Sequence, residues 1–146
     1  MTSTGGGAPR GMTLHVDLTR KIIAACQEVH SVLGPGLEER FYRDALLAEL
    51  QDRGMCCAVE AEYPVSYKGR VLGKHRVDMV VEGKVLLELK AVPGPLPRIF
   101  VAQAISERRA ARLPVALLVN FGDVSLQVRR LEDRTSDDVQ LPDQRL

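Results

Sequence analysis

Tryptophan is absent from this 146-residue chain, and aromatic residues make up only 4% of it. That scarcity argues against a single-strand nucleic-acid platform built on base stacking. An excess of charge of one sign is missing too, since 20 Lys+Arg stand against 19 Asp+Glu for a formal net charge of +1. No uniform field therefore draws the chain to nucleic acid or membrane, and any polyanion has to be held by a local patch. Cys26, Cys56 and Cys57 form neither a Cys-x-x-Cys pair nor an even disulfide set, so they read as reduced packing residues of a cytoplasmic protein. No stretch reaches the ~18 apolar residues that span a bilayer. Met1 to Thr13 also lacks the apolar core of a secretion signal. The expectation is a chain neither secreted nor inserted in a membrane.

What is present is 45% apolar sequence at a length that suits one domain with a real core and is too short for two. The expected organisation is a disordered tail over 1–13, a single domain over 14–132 and a polar tail over 133–146. Leu18, Ile22, Cys26, Val29 and Leu33 recur at helical spacing, which predicts a helix over 17–33 with Asp17 or Thr19 as its N-cap. Gly34-Pro35-Gly36 breaks it, and a second helix over 37–52 is closed by Gly54. Strands are expected over 57–60, 63–67, 71–81 and 85–91, with turns at Lys68-Gly69 and Glu82-Gly83. Pro93-Gly94-Pro95-Leu96-Pro97 is a loop, and a helix follows over 98–112. A strand over 115–120, apolar enough to be covered on both faces, and a more exposed one over 125–131 complete the domain. This order describes an α/β fold around a mixed sheet flanked by helices.

The chemistry concentrates in residues 76–90. An antiparallel hairpin turning about Gly83 places Asp78 opposite Glu88 and Arg76 opposite Lys90. Alternation then puts Val77, Met79, Val81, Val85, Leu87 and Leu89 on one face, and Arg76, Asp78, Val80, Leu86, Glu88 and Lys90 on the other. A one-residue slip would mix the two faces. Two facing carboxylates repel unless a cation separates them, which a hard divalent ion would do. The alternative is a solvated face on which Arg76 and Lys90 pair with Asp78 and Glu88. Glu39, in the first turn of the second helix, either offsets the helix dipole or joins this site. Gln103 reads as a core amide or a site residue. Arg98, Arg108, Arg109 and Arg112 form the most basic short stretch, either a solvated surface or a phosphate-binding patch.

Gly36-Leu37-Glu38-Glu39-Arg40-Phe41-Tyr42 matches a GxxExxY signature. It is followed in order by Pro64-Val65-Ser66-Tyr67-Lys68-Gly69, Arg76-Val77-Asp78, Glu88-Leu89-Lys90-Ala91, Ala102-Gln103 and Asn120-Phe121-Gly122. From about Asp17 to Leu131 the chain resembles the bacterial GxxExxY protein family of the PD-(D/E)XK nuclease superfamily. That resemblance implies a restriction-endonuclease-like αβββαβ core and a metal-dependent nuclease that hydrolyses phosphodiester bonds, in DNA in preference to RNA. It implies Mg2+ or Mn2+ held by Glu39, Asp78 and Glu88, with the Leu89 carbonyl as a further oxygen. Lys90 is then the superfamily lysine and Gln103 the glutamine of the following helix, both counted with the three acids as catalytic. Arg108 and Arg109 are the expected substrate contacts. The chain departs from the family pattern at Phe100, where His is frequent, and at Glu107, where an aromatic is. His30 is expected to be a core histidine. The alternative function is a catalytically silent module of the same fold that binds nucleic acid or a protein partner; oligomeric state is left open.

Overall fold

The computed structural model describes residues 14–132; the two expected tails lie outside them. Helix α1 (Val16–Leu33) buries Ile22, Ala25, Cys26 and Val29 along one stripe. It starts earlier than the sequence indicates. His15, in the left-handed region, takes the cap position without a side-chain cap bond, and Thr19 donates to the Val16 carbonyl at 3.1 Å. Asp17 thus lies in the first turn, where its charge opposes the helix dipole. After Gly34 and Gly36, both at positive φ, helix α2 (Glu39–Asp52) buries Tyr42, Leu46 and Leu50. Gly54 closes it at φ 86, with its amide on the Gln51 carbonyl at 2.9 Å.

The strands are β1 (Cys57–Val59), β2 (Glu62–Tyr67), β3 (Arg70–Arg76), β4 (Met79–Val81), β5 (Val85–Lys90), β6 (Val115–Asn120) and β7 (Gln127–Glu132), with helix α3 (Arg98–Ala111) between β5 and β6. Five of them form a mixed sheet in the order β1-β4-β5-β6-β7. Only β5 and β6 are parallel, joined through α3 as a crossover requires. Helices α1 and α2 cover one face through Met79, Val81, Val85, Leu87 and Leu89. Helix α3 covers the other through Val80, Leu86, Ala116 and Leu118. Burying each such Val or Leu contributes about 1.5–3 kcal/mol, so both faces are held by the hydrophobic effect. No helix among the described residues is long and apolar enough to cross a membrane.

The expected single strand over 71–81 is two strands in two sheets. β3 pairs only with β2, in a separate two-stranded ribbon, whereas β4 pairs with β1 and β5. The break falls at Val77-Asp78. Val77 turns into the α3-side core, and its amide donates to the Ala61 carbonyl at 3.0 Å. Consequently Val77 does not share a face with Met79, and Arg76 lies opposite Glu62 rather than Lys90.

Candidate active site

The β4–β5 hairpin sets the site. Glu82 and Gly83, at φ 55 and 65, occupy its tight turn, and the register pairs Met79 with Leu87, Val80 with Leu86 and Val81 with Val85. The next pair outward is Asp78 and Glu88, where the ladder stops. Side chains replace it: the Asp78 amide donates to Glu88 Oε1 at 3.1 Å, and the Leu89 amide donates to Asp78 Oδ2 at 2.8 Å. Each carboxylate keeps its other oxygen outside these two bonds.

Burial raises the Asp78 carboxyl above its ordinary value, opposed by the Leu89 hydrogen bond and by the charges of Arg43 and Lys90. Glu88 is 9% exposed. Burial first, then the charges of Asp78 and Glu107, push its carboxyl up to about 9. Glu39 opens α2 and is half-buried. Its carboxyl is also raised, by burial and then by the charge of Asp78, with Lys90 and Arg43 opposing. Three acids therefore share one electrostatic neighbourhood.

Lys90 ends β5, and its ammonium lies 4.3 Å from the centroid of the Phe100 ring. It makes no ion pair with Asp78 or Glu88, and Arg76 sits 3.5 Å from Glu62. Arg76 and Lys90 thus do not pair with Asp78 and Glu88.

The GxxExxY tyrosine braces the helix that carries Glu39. Tyr42 is fully buried, its hydroxyl donates to the Gly34 carbonyl at 2.5 Å and accepts from the Leu37 amide at 3.1 Å, and its ring stacks on Phe121 at 4.9 Å. His30 is half-buried at the edge of the core, with Nε2 2.9 Å from the Asp123 carbonyl. Asn120, fully buried, fixes the chain just after Lys90: its Oδ1 accepts from the Val92 amide and its Nδ2 donates to the Val92 carbonyl, each at 2.9 Å.

Two expectations on α3 do not match the structure. The sheet-facing stripe is Val101, Ala104, Ile105 and Arg108, which turns Gln103 outward. Gln103 lines an exposed cleft with His75, Ser106 and Glu107 and makes no hydrogen bond to Lys90. Arg108 is 1% exposed and directs Nη1 toward the Leu113 carbonyl at 3.4 Å, beyond the helix C-terminus. Seven residues after Val101 it falls on the buried stripe, so it is a packing residue and not a surface contact for phosphate. Arg109 is exposed.

Sequence reasoning misses Glu107. It is 7% exposed, hydrogen-bonded to His75 Nε2 of β3 on one side and within hydrogen-bonding reach of Glu88 on the other. Its Oε1 is buried without a donor. Its charge and its hydrogen bond raise the Glu88 carboxyl, and burial raises Glu107 itself, with His75 opposing. The only sequence signal is an acid beside the apolar stripe of α3.

The donors are hard oxygens, and the burial and mutual repulsion that disfavour charge on these carboxyls are what a divalent cation would offset. Among the described residues no three His, Cys, Asp or Glu side chains converge tightly enough to ligate an ion by themselves. The set fits a small cation that takes one or two carboxylates and keeps waters and substrate oxygens for the rest of its shell.

A mixed sheet with two interlocked acids at a hairpin end, and a lysine two residues beyond the second, defines a nuclease-like domain. The family model of the PD-(D/E)XK nuclease superfamily matches residues 16–131, and the chain belongs to that superfamily. No curated protein matches the chain at a significant level.

Proposed function

We propose that the protein is a metal-dependent nuclease that hydrolyses phosphodiester bonds in DNA. The observation that carries this reading is the Asp78–Glu88 interlock, which fixes two acids side by side where the ladder ends, with Lys90 on the same strand. Asp78 and Glu88 would hold Mg2+ or Mn2+, with the Leu89 carbonyl as a further oxygen and Glu39 adding its charge nearby. When bound, the cation supplies charge stabilisation at the phosphate and a more acidic water.

The chain's own residues do the remainder. Lys90 Nζ donates toward the scissile phosphate and offsets the charge that develops there. It also orients the attacking water, and the Phe100 ring limits where the ammonium can go. The hydrogen bonds to the Asp78 and Leu89 amides hold both carboxylates in place before substrate arrives, so little reorganisation is left for the reaction. Gln103 faces the cleft beside Glu107, which suits it to substrate contact rather than to positioning Lys90.

The test is cleavage of labelled single- and double-stranded DNA and RNA with magnesium or manganese, comparing wild type with Lys90→Ala. Metal-dependent DNA cleavage that falls roughly 100-fold or more in the variant supports the reading. No cleavage of any substrate by wild type would leave the silent binding module as the better account.

A further inference from the structure

The β2–β3 ribbon gives this near-neutral chain a projecting cationic surface. Residues 62–76 carry Lys68, Arg70, Lys74 and Arg76 against the single carboxylate of Glu62. Lys74 and Arg76 share Glu62, at 3.9 and 3.5 Å. Lys68 and Arg70 flank the Gly69 turn with no carboxylate partner among the described residues; Lys68 rests over the Tyr67 ring at 5.2 Å. Every residue of β3 is exposed, and Val71 and Leu72 near the tip are about two-thirds exposed at 68% and 67%. The root is anchored. Tyr63 packs on the α3-side core and His75 bonds Glu107. Since opposed residues point the same way, Tyr63 and His75 face α3, while Lys74 and Arg76 with Glu62 face away from it.

From these observations we infer that the ribbon is a duplex-DNA docking element that enters the major groove tip first. The inference rests on the nuclease reading for where the bound strand is delivered. Charge complementarity picks a polyphosphate, because the ribbon sets four cations against one carboxylate in a chain of net charge +1. Shape picks the duplex form. Two strands about 4.8 Å apart fit a B-form major groove about 12 Å wide, whereas the A-form major groove of RNA is too deep and narrow for protein side chains to read. A single strand would want stacking surfaces, and the tip offers one tyrosine already covered by Lys68. The exposed Val71 and Leu72 suit contact with thymine methyls in that groove. Position links the ribbon to the site: Arg76 lies two residues before Asp78, at most about 7 Å of extended chain. The register shift at Val65/Ser66 turns Arg70, opposite Tyr67, to the other face from Lys74 and Arg76, so the ribbon carries cations on both faces, and a backbone following Lys74 and Arg76 is led toward Asp78 and Glu88.

The test is fluorescence anisotropy of a labelled DNA duplex, in EDTA and over a range of salt. It compares wild type, Lys68→Glu/Arg70→Glu, Lys68→Gln/Arg70→Gln, and Arg20→Glu/Lys21→Glu on the exposed side of α1 as an equal change in net charge. Thermal melts confirm that each is folded, and the Gln pair stands in if the Glu pair is not. The ribbon variants should bind the duplex roughly tenfold or more weakly, with a log–log salt slope lower by about 0.9 for each phosphate no longer neutralised. The α1 variant should match wild type, and wild type should prefer the DNA duplex to an RNA duplex or a single strand. Unchanged binding in both ribbon variants, an equal weakening in the α1 variant, no duplex binding by wild type, or a preference for RNA or single strands would each overturn the inference. Ribbon-dependent binding without metal-dependent cleavage would instead uphold it and remove the nuclease reading.

Discussion

Asp78 and Glu88 lock the open end of the β4–β5 hairpin through each other's strand: the Asp78 amide donates to Glu88 Oε1, and Asp78 Oδ2 accepts from the amide of Leu89. The carboxylates are structural and chemical at once, and substitutions can separate the two roles. Asn at position 78 keeps an oxygen for the Leu89 amide and loses the charge. Asp78→Asn should therefore melt close to wild type and bind Mn2+ poorly. Asp78→Ala leaves the Leu89 amide without its partner and should lose about 1–3 kcal/mol in chemical denaturation. Equal stability of the two variants would mean that the interlock does not hold the hairpin end.

Stability of the metal-free protein should fall as pH rises. Glu88 is raised to about 9, and Asp78, Glu39 and Glu107 are raised as well, so the folded state keeps protons that the unfolded chain releases. The contribution of Glu88 is complete below its unfolded value near 4.5 and is lost as pH climbs through about 9. Melting temperatures in EDTA between pH 5 and 9 should decline, and Glu88→Gln should flatten the decline. A profile that rises with pH across this window would contradict the burial and charge argument.

Glu107 raises Glu88 by its charge and by a hydrogen bond that favours the protonated acid, and an amide tests this. In Glu107→Gln the side chain still accepts from His75 and can donate to an ionised Glu88, which favours the charged form. The pH at which Mn2+ binding reaches half its maximum should move down, with thermal stability kept. An unchanged pH midpoint would show that the Glu88–Glu107 contact has no influence on metal uptake.

Tyr42→Phe removes the hydroxyl that ties the Gly34 carbonyl to the Leu37 amide while keeping the ring against Phe121. The expected loss is about 1–2 kcal/mol by chemical denaturation, with faster amide exchange in the first turn of α2, where Glu39 sits. No change in exchange there would make the tyrosine a packing residue only.

Gly122→Ala should be worse for stability than its size suggests. A Cβ at Gly122 would lie 2.3 Å from the Val92 nitrogen and 2.4 Å from the Ala91 carbonyl carbon, both backbone atoms held by the Asn120 network. Overpacking of this kind costs about 1–3 kcal/mol, and the strain would fall on the segment that follows Lys90. A melting temperature equal to wild type would show that this loop yields easily.

The hairpin register is legible in the sequence because Glu82-Gly83 supplies a turn and strict alternation sorts Met79 to Leu89 into two faces. The break at Val77-Asp78 is not. Residues 71–81 alternate well enough to pass for one strand, and only the capture of the Leu89 amide by the Asp78 carboxylate ends the ladder there. On α3 the sequence also allows a stripe through Ile99, Ala102 and Ile105 that carries Gln103 inward, whereas the buried stripe is Val101, Ala104, Ile105 and Arg108. Buried arginines are rare, so nothing in the pattern alone places Arg108 inside. Glu107 has no local signature beyond being an acid beside the apolar stripe, since its partners His75 and Glu88 come from two strands of different sheets. The N-cap of α1 escapes for a different reason: backbone conformation at His15, not a capping side chain, starts the helix.

The most direct measurement is magnesium-dependent cleavage of a labelled DNA duplex by wild type and by Glu88→Gln, with EDTA and a thermal melt of each as controls. Glutamine keeps the oxygen that receives the Asp78 amide and removes the charge that would hold the ion. The account predicts cleavage by wild type that EDTA abolishes, and a folded Glu88→Gln with cleavage reduced roughly 100-fold or more. A folded Glu88→Gln that cleaves as fast as wild type would place the chemistry away from the Asp78–Glu88 pair and contradict it.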